Sequence, residues 1–397
     1  MSIEMLMAAK ALKETKKINE KLNSAIYPTT WRQMQEAVKN GLAKEVVEVG
    51  DEISNTWIDT AGQKEYDFPL RVNHFEDVEI EGGATVHGMW LESKYTTPLN
   101  IQFSQYQAFY VTKKEMPAGT YYVKFGVTWG NAKKDDCWSF TLTKAVPEGG
   151  KIAGFRLIAE NGQDSTKWKI YTYTADGKTI IEQVGVTSGS DGTFLCTLTN
   201  YGDDTSNGLQ QTAYGDNRYA TSALRQWLNS DKPKGEWWTA QSKYDVAPDL
   251  LTQKDGYLRG VDKELIEAML PVKCTTLCNT VAPDCIKQAK DVTYDKVTLI
   301  SLEQMYTKNQ GVGEEEAHEY YKMLNGTDTP YEWYKAIELL KSYGAESHFA
   351  PQARRLRSAN RGYACYAWYV SSSGSVYNYS AYYANRCQPL VCIGKIN

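Results

Sequence analysis

The sequence predicts an α+β protein, and three observations carry that reading. From Val46 to about Leu198 the chain is a series of short β-branched and aromatic runs punctuated by Gly and Asp. After Tyr201 short helical segments return, each bounded by cap or breaker residues. Residues 356–393 then revert to strands, with seven of the chain's 28 tyrosines set among Ser, Asn, Ala and Gly.

Taken in order, residues 1–27 predict a helix with Ile3, Leu6, Leu12, Ile18, Leu22 and Ile26 on a loose apolar stripe. A lone helix cannot bury such a stripe. It is expected to pack on a partner copy, dock into a larger particle, or lie on its own domain. Pro28 breaks it. Thr30 then caps a second helix, with Gln33 placed for a capping box. Trp31, Met34 and Val38 share one side of that helix, and Gly41 ends it. Strands are expected in EVVEVGDEI (45–53), FPLRVNHFEDVEI (68–80) and ATVHGMWLES (84–93).

Residues 101–198 predict a separate β unit. Its strands are QAFYVTK, GTYYVKFGVTW, CWSFTLTK, GFRLIAE, KWKIYTYT, KTIIEQVGV and TFLCTL, with Asp176-Gly177 as a hairpin turn. Regular strands without helices suggest a sandwich or jelly roll. Beyond it, Leu224, Trp227 and Leu228 fall on one face of SALRQWLN. Asp262 caps KELIEAML, which Pro271 stops, and VTLIS is a short strand. GEEEAHEYYKML and PYEWYKAIELLKSYG predict helices, with Pro330 in the first turn of the second.

In AWYVSSSGSV, Trp368 and Val370 alternate with Tyr369 and Ser371, and Ser372 to Gly374 make a turn. PLVCI is apolar throughout, as a buried strand must be. The polar face of this stretch has the composition of a binding loop. Tyr supplies large, rigid contact area, and Ser, Asn and Gly adapt their hydrogen bonding. The same composition also suits a sheet face that packs against protein.

The candidate ligand-binding residues are Gly362, Tyr363, Cys365, Tyr366, Tyr369, Ser371, Ser375, Tyr377, Asn378, Tyr379, Ser380, Tyr382 and Tyr383. They interleave with fixed-looking Ala364, Ala367, Trp368, Val370, Gly374, Val376, Ala381 and Ala384. Each candidate can be coded by an Asn codon altered only at its adenines. This pattern resembles the variable region of proteins diversified by diversity-generating retroelements. WRQMQEAVKNGLAKEVVEVGDEI, GMWLESKYTTPL, NRYATSALRQWLNSD, LRGVDKELIEAML, VTLISLEQMY and LRSANRG, in that order, resemble a phage and gut-bacterial family with a C-type-lectin-like fold. That family is related to the formylglycine-generating enzymes.

Four segments are expected: an N-terminal helical segment for assembly or docking (1–48) and, as the resemblance implies, the first part of a C-type-lectin-like domain (49–100), an inserted β-sandwich-like unit (101–198), for which a plain tandem arrangement is the alternative, and the rest of the lectin-like domain (199–397). Where the family usually has an aromatic pair before Leu-Arg-Ser, this chain has Arg354 and Arg355, which implies a more basic wall to the site.

Other chemistry finds little support. A net charge of −4 and the lack of a basic stripe argue against nucleic acid. No apolar run approaches membrane-spanning length, and the N-terminus lacks the order of a signal peptide, so synthesis is expected in a cytoplasm. Cys274, Cys278 and Cys285 fit no common zinc spacing, and Glu314 and His318 suit a solvated helical face better than a metal. His74, His87 and His348 have no evident partners in the sequence, and Asn325-Gly-Thr327 is read as an accidental glycosylation match.

The formylglycine-generating relatives use a reactive cysteine pair. Of the late cysteines here, Cys365 is at a variable-looking position and Cys392 in a buried-looking strand, so no enzyme activity is expected. Asp and Glu are absent from residues 356–397, so a calcium-dependent lectin site is not expected, and no cofactor or metal is invoked.

The function expected is therefore ligand binding. The ligand would be a host-surface protein or glycan, bound by a phage or prophage protein on the virion or cell exterior. Other virion proteins would contact residues 1–48, and a homo-oligomer stays open. The alternative is a structural virion decoration or tail component that packs through the same surface.

Overall fold

The computed structural model describes residues 28–105, 109–112, 115–125, 137–153, 169–174, 179–189, 196–198, 203–204, 209–211, 217–241, 247–280, 288–305, 319–320, 322–324, 353–362, 366–373 and 375–396. The fold is mixed helix and sheet, built mostly of small antiparallel sheets, and so of the α+β class. The helices expected at 1–27 and 330–344, the GFRLIAE strand and the Asp176-Gly177 turn lie outside the described residues. Of GEEEAHEYYKML, residues 319–320 and 322–324 are described, and they are helical.

Helix α1 (Trp31–Lys39) begins at Thr30, whose side chain accepts from the Gln33 amide at 3.3 Å. The reciprocal bond of a capping box goes one residue further out, because Gln33 Oε1 accepts from the Thr29 amide at 2.8 Å. Gly41 follows the C-cap at φ +69°, a left-handed turn that suits glycine. Met34, Ala37 and Val38 are buried against the main body, so this part of the 1–48 segment spends its apolar face on its own domain and leaves it unavailable for docking. The strand expected at 45–53 is a second correction. Residues 43–45 form a 3-10 turn, Asp51 accepts from the Glu48 amide at 2.8 Å, and Gly50 has φ +105°. Only Glu52 and Ile53 (β1) pair, so turn chemistry overrides the β propensity of the valines.

After the small hairpin of β2 (Thr56–Asp59) and β3 (Lys64–Asp67), β4 (Leu70–Glu79) and β5 (Thr85–Ser93) form the long antiparallel pair of the central sheet. The chain then leaves for strands β6 (Phe109–Thr112), β7 (Gly119–Phe125), β8 (Cys137–Leu142), β9 (Lys151–Ala153), β10 (Lys169–Tyr173), β11 (Ile180–Gly189), β12 (Cys196–Leu198), β13 (Asp203–Asp204) and β14 (Leu209–Gln211). These join in one hydrogen-bonded sheet of nine, order β12-β7-β8-β11-β10-β9-β6-β14-β13, rather than in two separate sheets of a sandwich. The unit also runs past 198, because β14 pairs with β6. At its other end, Ile101 and Phe103 belong to the first core, so it starts later than residue 101.

Helices α2 (Ala223–Leu228) and α3 (Lys263–Ala268) follow, capped by Ser222 and Asp262. Leu224, Trp227 and Leu228 are all fully buried. Strands β15 (Val272–Leu277) and β16 (Lys290–Asp295) form a hairpin. VTLIS contributes only β17 (Val297–Thr298).

PLVCI becomes β21 (Leu390–Ile393), which pairs with β5 on one side and β17 on the other. The central sheet is thus ordered β1-β4-β5-β21-β17 and combines strands from both sides of the nine-stranded unit. Its middle strands are buried on both faces. Met89, Leu91, Val391 and Ile393 face one core, and Trp90, Leu390 and Cys392 face the other. That is why PLVCI carries no polar residue. Gly88 makes room for this packing, since a Cβ there would stand 2.5 Å from Cys392 Sγ.

A candidate binding face on the C-terminal sheet

The Tyr-rich stretch forms β18 (Arg354–Ala359), β19 (Tyr366–Val370) and β20 (Val376–Ser380), a three-stranded antiparallel sheet. Alternation sets its two faces. Trp368, Val370 and Val376 turn inward to the second core with Leu356. Tyr369 and Tyr377 sit opposite each other on the other face, with rings 6.1 Å apart. Tyr379 continues this face and touches Tyr383 at 4.9 Å, and Tyr382 and Tyr383 stack at 4.4 Å. Tyr366 departs from the simple alternation, because its ring stacks on Tyr379 at 6.2 Å and 13°. It is the first residue of β19, near the shift in β18–β19 register.

Tyr366, Tyr369, Tyr377, Tyr379, Tyr382 and Tyr383 therefore sit together. Tyr377 is 49%, Tyr379 40% and Tyr383 43% exposed, which leaves large aromatic area facing solvent where a strand would normally carry polar groups. Burial, then the bond to the Tyr383 hydroxyl, hold the Tyr379 phenol above its ordinary value.

The other candidates divide. Ser371 and Ser375 build the hairpin turn. The Ser371 amide donates to Ser375 O at 2.7 Å, and the Ser375 amide to Ser371 Oγ at 3.1 Å. Asn378 is half-buried on the inner side. Ser380 is fully buried and offers the face no side chain, because it falls on the inward register opposite Tyr366. Gly362 is exposed at a bend whose amide donates to Asn360 Oδ1 at 2.9 Å. Tyr363 and Cys365 lie outside the described residues.

Several supporting residues carry no local sequence signal. Arg355 is 1% exposed and lies in register with Tyr369. Its guanidinium donates to the carbonyls of Ala367 (2.9 Å), Tyr379 (3.3 Å), Ser380 (3.1 Å) and Tyr383 (3.1 Å). Desolvation brings its pKa down to about 10, and the charge is kept at neutral pH. The expected basic wall is thus a buried cation on the tyrosine side of β18, covered by its neighbours. Asn217 donates to the carbonyls of Asn360 (2.9 Å) and Tyr366 (2.7 Å). Tyr320 donates to Ala359 O at 2.8 Å and accepts from the Trp368 indole at 3.2 Å. At the rim, Gln102 donates to Tyr382 O at 3.1 Å, and Gln105 to exposed Asp249 at 2.5 Å. Only tertiary folding brings these segments together.

Among the described residues, reactive chemistry does not gather at this face. Cys387 and Cys392 are buried, and burial pushes the Cys387 thiol up to about 12 and Cys392 well above its ordinary value. Cys274 and Cys278 are buried too. His87 bonds Asp77 through Nδ1, and His74 Nε2 lies 3.8 Å from Glu76, partners that the sequence did not reveal. A cleft of about 390 Å³ lined by Lys44, Phe75, Glu76, Asp77 and His87 contains none of the candidate residues. Glu314, His318, Cys285, His348 and Asn325 lie outside the described residues.

Residues 190–394, just over half of the chain, match the family model described as a domain of unknown function (DUF6273). Neither a curated protein nor a solved structure matches the chain.

Proposed function

The chain belongs to the DUF6273 family, and from that premise we propose that it is a ligand-binding, receptor-recognition protein of a phage or prophage. The binding surface is the tyrosine face of the C-terminal sheet, on a C-type-lectin-like fold, and the ligand is a host-surface molecule. The observation that carries the reading is the gathering of six tyrosines at one sheet, Tyr369 against Tyr377 and Tyr366, Tyr379, Tyr383 and Tyr382 in a run of ring contacts, over a strand whose alternate residues are buried. Aromatic anchors of this kind dominate recognition surfaces. Retroelement diversification is supported by the same division. Most variable-looking residues point outward or sit in the turn, while fixed-looking Ala367, Trp368, Val370, Val376 and Ala381 are buried. A binding rather than catalytic role is supported by the buried, protonated Cys387 and Cys392.

The test is binding to a panel of bacterial surface proteins, glycans and whole cells. Wild type would be compared with a variant carrying Tyr369, Tyr377, Tyr379 and Tyr383 changed to Ala. Truncated hot-spot aromatics cost roughly 2 kcal/mol or more each, so binding should vanish while the circular dichroism spectrum is kept. Persistent binding in the folded variant would move the site elsewhere. The alternative, a virion decoration or tail component that packs through this face, predicts self-association of the purified chain that the same variant abolishes. A reverse-transcriptase gene beside a near-copy of the last coding segment, differing only at adenines of the copy, would establish diversification.

A further inference from the structure

We propose that the tyrosine face selects an acidic protein surface, one presenting Asp and Glu side chains. This rests on the binding role proposed above. Clustered tyrosine rings present electron-rich faces and would by themselves suit a cation. Arg355 reverses that preference. All four of its hydrogen-bond acceptors are backbone carbonyls, and its Nε finds no acceptor, so no described carboxylate neutralises it. Carbonyl dipoles solvate a guanidinium without cancelling its net charge.

The surrounding sequence does not cancel it either. Residues 347–397 contain five Arg, one Lys and no Asp or Glu. Arg357 is neutralised by Glu303 at 3.4 Å, and Lys395 pairs with Glu36, whereas the Arg355 guanidinium sits on the carbonyls of Tyr379 and Tyr383 themselves. The described carboxylate tied to the rim is Asp249, which is exposed and already hydrogen-bonded by Gln105, so water screens it. Arg355 lies on the tyrosine side of β18, in register with Tyr369, and the low-dielectric protein that covers it transmits its potential more fully than water would. The phenol hydroxyls complete the match, since they donate hydrogen bonds that carboxylates accept. A protein occupant fits better than a small molecule, because the face is an open strand surface and its Tyr and Ser content is that of a protein-reading paratope.

The test uses the full chain and a displayed random-peptide library, counter-selected on the four-tyrosine variant so that only face-dependent peptides survive. Expected is enrichment in Asp and Glu, with Glu→Gln replacement in the selected peptides weakening binding on the order of tenfold, the scale of one charge pair about 10 Å apart at intermediate dielectric. Arg355→Gln should bring that ratio towards one while neutral contacts persist. If this variant does not fold, the peptide series decides alone. Enrichment without charge bias, or in Lys and Arg, overturns the acidic assignment and leaves the face a binding site. Tyrosine-dependent binding of polygalacturonate with no peptide selected moves the ligand to an acidic glycan and overturns the proposal. No tyrosine-dependent ligand of either kind overturns the binding role itself.

Discussion

At the scale of single residues, Arg355 and Tyr377 make opposite predictions. Replacing Arg355 by Met takes the donor from four carbonyls, of which Ser380 O keeps the Tyr383 amide at 3.1 Å, and each buried acceptor left unmade costs about 1–3 kcal/mol. A urea unfolding midpoint should fall by the equivalent of at least 3 kcal/mol, and Arg355→Lys should recover only part, since an ammonium cannot span the fork. Tyr377→Ala at a half-exposed position should change stability by less than about 1 kcal/mol. Equal losses for the two would show that the rings, and not the guanidinium, hold the sheet. Glu52 supplies a pH dependence. Burial alone would raise its pKa, but hydrogen bonds from Lys94 and Arg71 outweigh burial and hold it below its ordinary value. A depressed carboxylate contributes stability above its unfolded value and loses it as pH falls through the lower folded value. Glu52→Gln should therefore lower stability at pH 7 but not at pH 3, in denaturant titrations at the two values. The outward tyrosines were legible because alternation is a local signal. The partners of Arg355 were not, because a backbone carbonyl carries no residue identity.

Among the elements, what local chemistry determines was legible and what tertiary pairing determines was not. Thr30 and Asp262 act as the caps their positions predict, and the Asp262 carboxylate accepts from the Leu265 amide at 3.1 Å. Asp262→Ala should cost about 1 kcal/mol in a urea titration, and an unchanged midpoint would mean that α3 is held by packing alone. The valine-rich segment 45–53 misleads for the opposite reason. Its β propensity is real, but only Glu52 and Ile53 reach a partner strand, and Gly50 and Asp51 favour the turn. PLVCI was legible as buried. That it lies between β5 and β17 could not be read locally, since Leu91 and Val297, the partners of Val391, are both distant from it in the chain.

Over the whole molecule, the nine-stranded sheet leaves and rejoins the main body at adjacent points. The rings of Phe103 and Tyr219 lie 6.3 Å apart, and the Leu224 amide donates to Phe103 O at 3.3 Å. Replacing residues 106–216 by a short Gly/Ser linker should leave a cooperative unfolding transition and keep the tyrosine-dependent binding. Loss of the transition would mean that the two parts fold as one. The limits of the nine-stranded sheet depend on β6 pairing with β14, which periodicity does not encode.

The pairing of β21 with β5 has a further consequence. Cys392 lies opposite Trp90, so the central sheet cannot close until the ribosome has passed the tyrosine stretch and continued to Ile393. A frameshift or premature stop anywhere within that stretch deletes the closing strand and exposes both cores to proteases. Translation through the face in the correct reading frame is thereby a condition of folding, and a mistranslated face is discarded with the chain that carries it.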